Sequence, residues 1–376
     1  MDKYNYLVYG AGRCGCAAVY DLIKNCDAGH ISVVDPVQGA VVAAYQRLKP
    51  VLDKLNPHWE HIVKFHKSEP PDNEMGGFHV ALSCAPYRFN QTITEKCVRC
   101  KIPICDLGGN PDVVASQEEF ATGKQIPVVP DCGIAPGIAN IYATHLAKTG
   151  AKTVEVRCGG LPLKPPKNDL KYKLFFNLYG LISEYTGDVP IIKNGAVDSI
   201  PARSVVEDHL YCLAGSDENF ECSPTSNNSQ IAKWLQELGV ENYNYMTIRY
   251  PGHWAEVEGW DFDDTDALAD ELSQNKSLKY DPNQHRDRLI LMVTGDDITE
   301  SIDLKADTLT KFSAMEMATS WGITTVAHWI AQRHMLGHVK KHVERGELPE
   351  FALPERFVDG EWMIAEVQKR LKDVAQ

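Results

Sequence analysis

The sequence predicts an α/β protein: an N-terminal Rossmann-type parallel sheet, then a second α+β domain with a mixed or antiparallel sheet. Three observations carry this. An apolar, aromatic run at residues 4–9 passes directly into Gly10-Ala11-Gly12-Arg13-Cys14-Gly15. Strand and helix signals then alternate, which implies right-handed crossovers and a parallel sheet. From about residue 151 the alternation gives way to strand signals joined by tight turns.

Residues 4–9 read as a buried strand, and the Gly-x-Gly-x-x-Gly spacing opens a helix with Ala17, Ala18, Leu22 and Ile23 apolar. Residues 30–35 read as a second strand ending in Asp35, 20 positions beyond Gly15. In this layout the first glycine permits a tight turn, the second admits a pyrophosphate, and the third lets helix and strand pack closely. The pyrophosphate lies on the helix N-terminus, where N–H groups and the dipole favour an anion. Asp35 suits both ribose hydroxyls and repels a 2′-phosphate, so NAD is the expected cofactor and NADP the less favoured one. Pro36 has no N–H to offer such a phosphate, and no arginine follows before Arg47.

Residues 39–55 are helical in period, and 61–65, 78–84, 102–107 and 126–130 read as the third to sixth strands, with a helix over 87–100. In open parallel sheets the ligand lies beyond the carboxyl ends of the strands. The turns there nominate Gly10, Ala11, Gly12, Arg13, Cys14, Gly15, Asp35, Ser83, Ala85, Pro86, Leu107, Gly108, Gly109, Cys132 and Gly133 as cofactor contacts.

In the second half, strands are expected over 151–158, 171–177, 204–213, 243–250 and 289–304, the last turning at Gly295-Asp296. Residues 189–200 read as a hairpin about Asn194-Gly195. Helices are expected at 229–238 and 265–274, and over 312–336, where Gly322 is expected to interrupt. The acids at 261–271 read as a solvated helix start suited to the dipole. A terminal amphipathic helix at 361–373 is expected to return to the first domain. The expected domains are 1–135 (dinucleotide-binding), 136–335 (α+β, substrate-binding and dimerising) and 336–376 (C-terminal helical segment).

The 376 residues suit two ordinary domains. With 51 acidic against 38 basic residues and no basic cluster, the chain lacks the footprint for nucleic acid. No apolar run approaches the ~20 residues of a membrane span, and the first strand begins too early for a signal peptide. Eleven cysteines set inside strand and helix patterns read as reduced thiols, hence a cytoplasmic protein. Cys97-x-x-Cys100 has no second half-site nearby, so no metal is expected. A homodimer through the second domain's sheet is expected, because an open sheet must cover its edges.

Asp131-Cys132-Gly133-Ile134-Ala135-Pro136-Gly137, Gly159-Gly160-Leu161-Pro162, the run at 172–177, Gly180 to Tyr185, and Arg249-Tyr250-Pro251-Gly252-His253 occur in that order. Together they resemble the saccharopine dehydrogenase (reductase) family, over nearly the whole chain. The Glu-Tyr-Thr segment at 184–186 and Arg-Tyr-Pro-Gly-His resemble the lysine 6-dehydrogenase branch. The resemblance implies an NAD(P)-dependent oxidoreductase acting on an amine or imine carbon of a small amino acid. In that branch the ε-carbon of lysine gives up hydride, and the imine hydrolyses to a semialdehyde with loss of ammonia. Two departures stand out: Glu316 where that branch carries a basic residue, and Tyr179 where saccharopine reductases carry arginine. A condensing reductase, of the saccharopine reductase or carboxynorspermidine synthase kind, is the alternative activity. A non-catalytic NAD sensor is the alternative class.

Amine oxidation needs a neutral amine, whereas a free ε-amine has a pKa of ~10.4. Glu184 or Asp106 is positioned by motif to receive its proton. Arg249 or Lys173 would clamp the α-carboxylate, Arg249 with bidentate geometry unless it is a structural ion pair. His253 would serve as base, orienting donor or core histidine. Tyr172, Asn177 and Tyr185 line the pocket or are ordinary sheet residues. Cys132 needs no nucleophilic role, and Asp131 is a candidate base or the cap of the helix starting near Pro136.

Overall fold

The computed structural model describes residues 3–175, 178–213, 216–226, 230–281, 286–334 and 339–374. They form two compact units: residues 1–141 with 316–376, and residues 142–315. The chain crosses from the first to the second inside the helix Ile138–Lys148, and returns near the start of the helix Ala314–Arg333.

The first unit holds a six-stranded parallel sheet. Its strands are β1 (Tyr4–Tyr9), β2 (Ala28–Val34), β3 (Val63–His66), β4 (Val80–Ser83), β5 (Ile104–Asp106) and β6 (Val128–Val129), in the order β3-β2-β1-β4-β5-β6. This is the doubly wound dinucleotide order, with its switch point between β1 and β4. Strands buried on both faces read as continuous apolar runs, and Leu7 to Tyr9 and Val80 to Leu82 are all buried. The C-terminal segment extends the sheet. Val128 N–H donates to Glu350 O and Ala352 N–H to Val128 O, placing residues 350–352 beside β6.

The helix Ala314–Arg333 runs unbroken through Gly322, contrary to the interruption expected there. The glycine serves a close approach instead. A Cβ at Gly322 would lie 2.2 Å from Gly133 O and 2.5 Å from Cys132 O. The C-terminal helix Gly360–Val374 packs through Met363, Val367 and Arg370. Arg370 Nε and NH2 donate to the buried Asp21 carboxylate, and NH1 donates to Glu366 Oε2 at 2.7 Å. Thr324 Oγ1 donates to the same Asp21 at 2.6 Å.

The second unit is built on an eight-stranded mixed sheet. Its strands are β7 (Thr153–Pro162), β8 (Asp188–Lys193), β9 (Ala196–Pro201), β10 (Glu207–Leu213), β11 (Ser216–Pro224), β12 (Asn242–Arg249), β13 (Asp287–Gly295) and β14 (Ile298–Lys305). The main path runs β10-β11-β12-β7-β13-β14, with β8 and β9 branching from β12. Among the described residues, only the β7–β12 pair of this sheet is parallel. Asn194 and Gly195 both take positive φ in the two-residue turn between β8 and β9, as a type I′ hairpin requires. The β13–β14 turn falls on Asp296 and Asp297, one residue later than expected. Residues 171–175 form no strand, only a single bridge at Leu174 to Lys279. Asp264 caps the helix Thr265–Gln274 by accepting from Ala267 N–H at 2.9 Å, so the acidic run does open a helix. Among the described residues, no helix is long and apolar enough to cross a membrane.

Candidate active site

In the first unit, the turn after β1 has the geometry of a dinucleotide cradle. Gly10 takes φ +96°, and a Cβ on Gly15 would sit 1.9 Å from Gly10 O, so the helix Arg13–Asn25 can press against the turn only without one. A Cβ at Gly12 would meet nothing within 4 Å, which leaves the open approach that a pyrophosphate needs. The helix beginning there has no acid in its first turn and no side-chain cap. At the end of β2, Asp35 accepts from Ala11 N–H and from Val37 N–H, each at 2.9 Å. That fixes its carboxylate against the glycine-rich turn. These residues fit a nicotinamide dinucleotide.

Arg13 and Cys14 stand at the head of that helix. The buried Glu316 accepts from Arg13 Nε, and from Arg47 NH2 at 2.7 Å. Burial pushes the Glu316 carboxyl up, but Arg47 and Arg13 outweigh it and hold the group below the usual carboxylate range. This triad joins positions 13, 47 and 316, which no local pattern connects. Burial raises the Cys14 thiol to about 11, so it stays protonated at neutral pH.

The remaining strand ends divide into two groups. Ala85, Pro86, Leu107, Gly108 and Gly109 are half-buried or exposed. Ser83, Cys132 and Gly133 are buried. Ser83 Oγ donates to Asn90 Oδ1 at 2.8 Å. Cys132 Sγ donates to Val129 O at 3.2 Å, and Gly133 lies under the helix at Gly322. Asp106 is buried too. Its Oδ1 accepts from Gly108 N–H and its Oδ2 from Gln117 Nε2, both at 2.7 Å. Burial raises it to about 6 against those hydrogen bonds. Asp131, by sequence a candidate base or a helix cap, takes φ +61° well before the helix Ile138–Lys148, and burial, then Asp106 and Glu355, push its carboxyl up.

In the second unit, β12 delivers Thr247 and Arg249, and the helix Leu178–Glu184 delivers Glu184 with Tyr185 just beyond it. Arg249 is 2% exposed. Its Nε donates to Tyr185 OH at 2.7 Å and its NH1 to Ile248 O at 2.9 Å, while NH2 lies 3.5 Å from Glu184 Oε1. Thr247 Oγ1 donates to the same Glu184 oxygen at 2.7 Å. Burial raises the Glu184 carboxyl, with Arg249 and Thr247 pulling the other way. Burial also opposes the charge on Arg249, yet Tyr185, Tyr172 and Glu184 outweigh it. The guanidinium therefore stays charged, lying 4.8 Å from the Tyr172 ring centre.

The tautomer of His253 follows from its partners. Nδ1 lies 2.8 Å from Leu170 O, which can only accept, so Nδ1 carries the proton. Nε2 then accepts from Tyr185 OH at 2.9 Å, and Tyr185 in turn accepts from Arg249. Burial and the nearby Arg249 push the imidazole well below its ordinary value, so it is neutral. With both nitrogens engaged, His253 aims Tyr185. Tyr172 lies in the same aromatic cluster, and its buried hydroxyl has no hydrogen-bond partner among the described residues. Lys173 is not brought into this group: its ammonium donates to Ser277 O at 2.7 Å. Asn177 lies outside the described residues.

The strand order and the glycine-rich turn define a Rossmann-like α/β protein with a buried ionic cluster in its second unit. A family model for the saccharopine dehydrogenase C-terminal domain matches residues 133–343, more than half of the chain. The chain belongs to the saccharopine dehydrogenase family. It is similar to saccharopine dehydrogenase [NADP(+), L-glutamate-forming] of Pyricularia oryzae, 23% identical over 188 residues, or 48% of this chain and 42% of that protein. The enzyme of the same description from Saccharomyces cerevisiae is 21% identical over 188 residues, with the same coverage. The matches thus span less than half the length of these curated relatives. In fold, the chain is similar to the solved apo saccharopine dehydrogenase (L-Glu forming) of Saccharomyces cerevisiae. The TM-score is 0.64 at 16% identity, covering 98% of this chain and 97% of that one.

Proposed function

We propose that this protein is an NAD-dependent amino-acid dehydrogenase that oxidises the carbon bearing the ε-amine of L-lysine, or of a close ω-amino analogue. The observation that carries this reading is the Glu184–Arg249–Tyr185–His253 cluster, with the unpartnered Tyr172 hydroxyl beside it. It pairs a proton-accepting carboxylate with a fixed cation inside a buried aromatic setting. Bound nicotinamide dinucleotide supplies the hydride acceptor. Holding an ε-amine neutral near pH 7.4 costs about 4 kcal/mol, from ~3 units at 1.36 kcal/mol each. Glu184 is placed to receive the ammonium proton as the amine becomes neutral. Arg249 keeps Glu184 ionised and Tyr185 in place, and His253 sets the direction of the Tyr185 hydroxyl. In this role Arg249 is a positioning residue, since its N–H groups already serve three internal acceptors. Tyr172 offers its hydroxyl to the substrate.

The curated relatives, described as saccharopine dehydrogenases [NADP(+), L-glutamate-forming], favour a second reading, a condensing reductase of the saccharopine reductase kind that joins an amine to an aldehyde. A screen separates the two. L-Lysine and its ω-amino analogues should reduce NAD at alkaline pH. If they give no NADH, while an aldehyde plus an amino acid consumes NADH, the condensing reductase replaces the dehydrogenase.

Asp35 supports NAD over NADP, because its carboxylate is anchored by Ala11 and Val37 where a 2′-phosphate would lie. Arg47 is committed to Glu316. Fluorescence titration should show tighter binding of NAD than of NADP, and Asp35→Ala should weaken NAD and narrow the difference. A preference for NADP in the unmodified protein would reverse this assignment, in line with the NADP(+) named for the relatives.

A further inference from the structure

Three acids lie at the carboxyl ends of three neighbouring chain segments in the first unit. Asp106 ends β5, Asp131 follows β6, and Glu355 follows residues 350–352, which run beside β6. All are buried, at 1%, 5% and 1% exposure. None forms an ion pair among the described residues. Glu355 is the most isolated: neither carboxyl oxygen has a well-formed hydrogen-bond partner among the described residues.

Three adjacent buried carboxylates cannot all be ionised, because each pays desolvation and each repels the next. We infer that Asp106, Asp131 and Glu355 form a shared-proton store, which holds protons at neutral pH and releases one to solvent when an oxidised nicotinamide dinucleotide binds. In the step, one carboxylic acid loses its O–H proton to bulk water and becomes a carboxylate. The driving force is the positive charge of the oxidised nicotinamide ring, which stabilises an anion at the strand ends. The store sits in the half of the sheet, β4 to β6, that answers to the second mononucleotide of such a fold. The release step rests on the dinucleotide reading above; the store itself does not.

The surrounding groups fit. Asp131 and, from its own turn, Arg356 are the charged neighbours of Glu355, with Asn140 also beside it. Burial raises Glu355 to about 7, against Asn140 and Arg356. Burial, then Asp106 and Glu355, raise Asp131 well above the carboxylate range. Cys132 lies close to both aspartates and is likewise pushed up by burial, so it does not compete as an anion.

Infrared spectroscopy of the free full chain, titrated from about pH 5 to about pH 9, reads protonated buried carboxyls directly. The acid carbonyl band should be present at neutral pH and fade as pH rises. Glu355→Gln should lose part of it, and Glu355→Asp should keep it. Absence of the band at neutral pH in the unmodified chain, or a band untouched by Glu355→Gln, overturns the store. Adding NAD in weak buffer should release a proton from the unmodified protein and measurably less from Glu355→Gln. Binding without release overturns the linkage. No binding of NAD at any pH overturns the dinucleotide reading instead, and leaves the infrared result to stand on its own.

Discussion

Glu184→Gln is expected to lower kcat on lysine by about 10² to 10⁴-fold, the range that a positioned general base supplies. Glutamine keeps the size and still accepts from Thr247, but it cannot take a proton. The pH dependence follows from the same group. Burial raises the Glu184 carboxyl, so the base is ionised above that raised value and is lost as pH falls through it. On the alkaline side, the rate keeps rising as more substrate amine is already neutral. The variant should therefore lose the acid limb of the rate profile as well as its height. A profile and a kcat within about threefold of the unmodified protein, well short of that range, would remove Glu184 from the chemistry.

The second large effect concerns stability. Arg370→Met should destabilise the first unit by about 3–5 kcal/mol, because it leaves the buried Asp21 carboxylate without its cation. Asp21 is 2% exposed, and Arg370 supplies both Nε and NH2 to it. Thr324 and Asn25 still donate to Asp21, which softens the loss without cancelling the charge. Replacing both partners by apolar residues, Asp21→Leu with Arg370→Met, should restore much of the stability, since neither charge then needs burying. Urea unfolding measures both variants. An unchanged midpoint for Arg370→Met would mean that the pair is energetically idle.

Local chemistry was legible wherever a short segment determines its own shape. The Gly10 to Gly15 spacing, the acid at 35, the Asn194-Gly195 turn and the capped helix after Asp264 all depend on neighbours within a few residues. Residues 171–175 misled for a physical reason. Their alternation comes from Tyr172 and Leu174, which pack with Phe175 on an aromatic cluster that holds Tyr185 and Trp254, not from a strand. The helix Pro111–Ala121 went unread although Asn110 and Pro111 carry a cap and a first-turn proline. The polar run that forms β11 has no apolar periodicity to betray it. Gly322 looked like a helix breaker because its purpose, contact with Gly133, lies in another part of the chain. The sites divide in the same way. Arg249 and His253 could be picked from a motif, but the tautomer depends on Leu170, and the three acceptors of Arg249 are Tyr185, Ile248 and Glu184. Glu355 gave no signal at all, since its neighbours are set by strand order alone.

The first unit is discontinuous, and that has a consequence for how the chain is made. Arg370 closes on Asp21 across 349 residues, and residues 350–352 complete the edge beside β6. On a ribosome adding about 5–20 residues per second, Asp21 waits roughly 20–70 s for its partner. All of residues 142–315 emerge in that interval, so the unit begun first is the last to be completed. Until then a partly assembled sheet must keep β6 uncovered and a buried-site carboxylate in water. The interval in which a nascent chain is most exposed to mispairing is therefore set by the 349 residues between the two partners, about half of them the inserted unit, and not by the folding speed of the sheet itself.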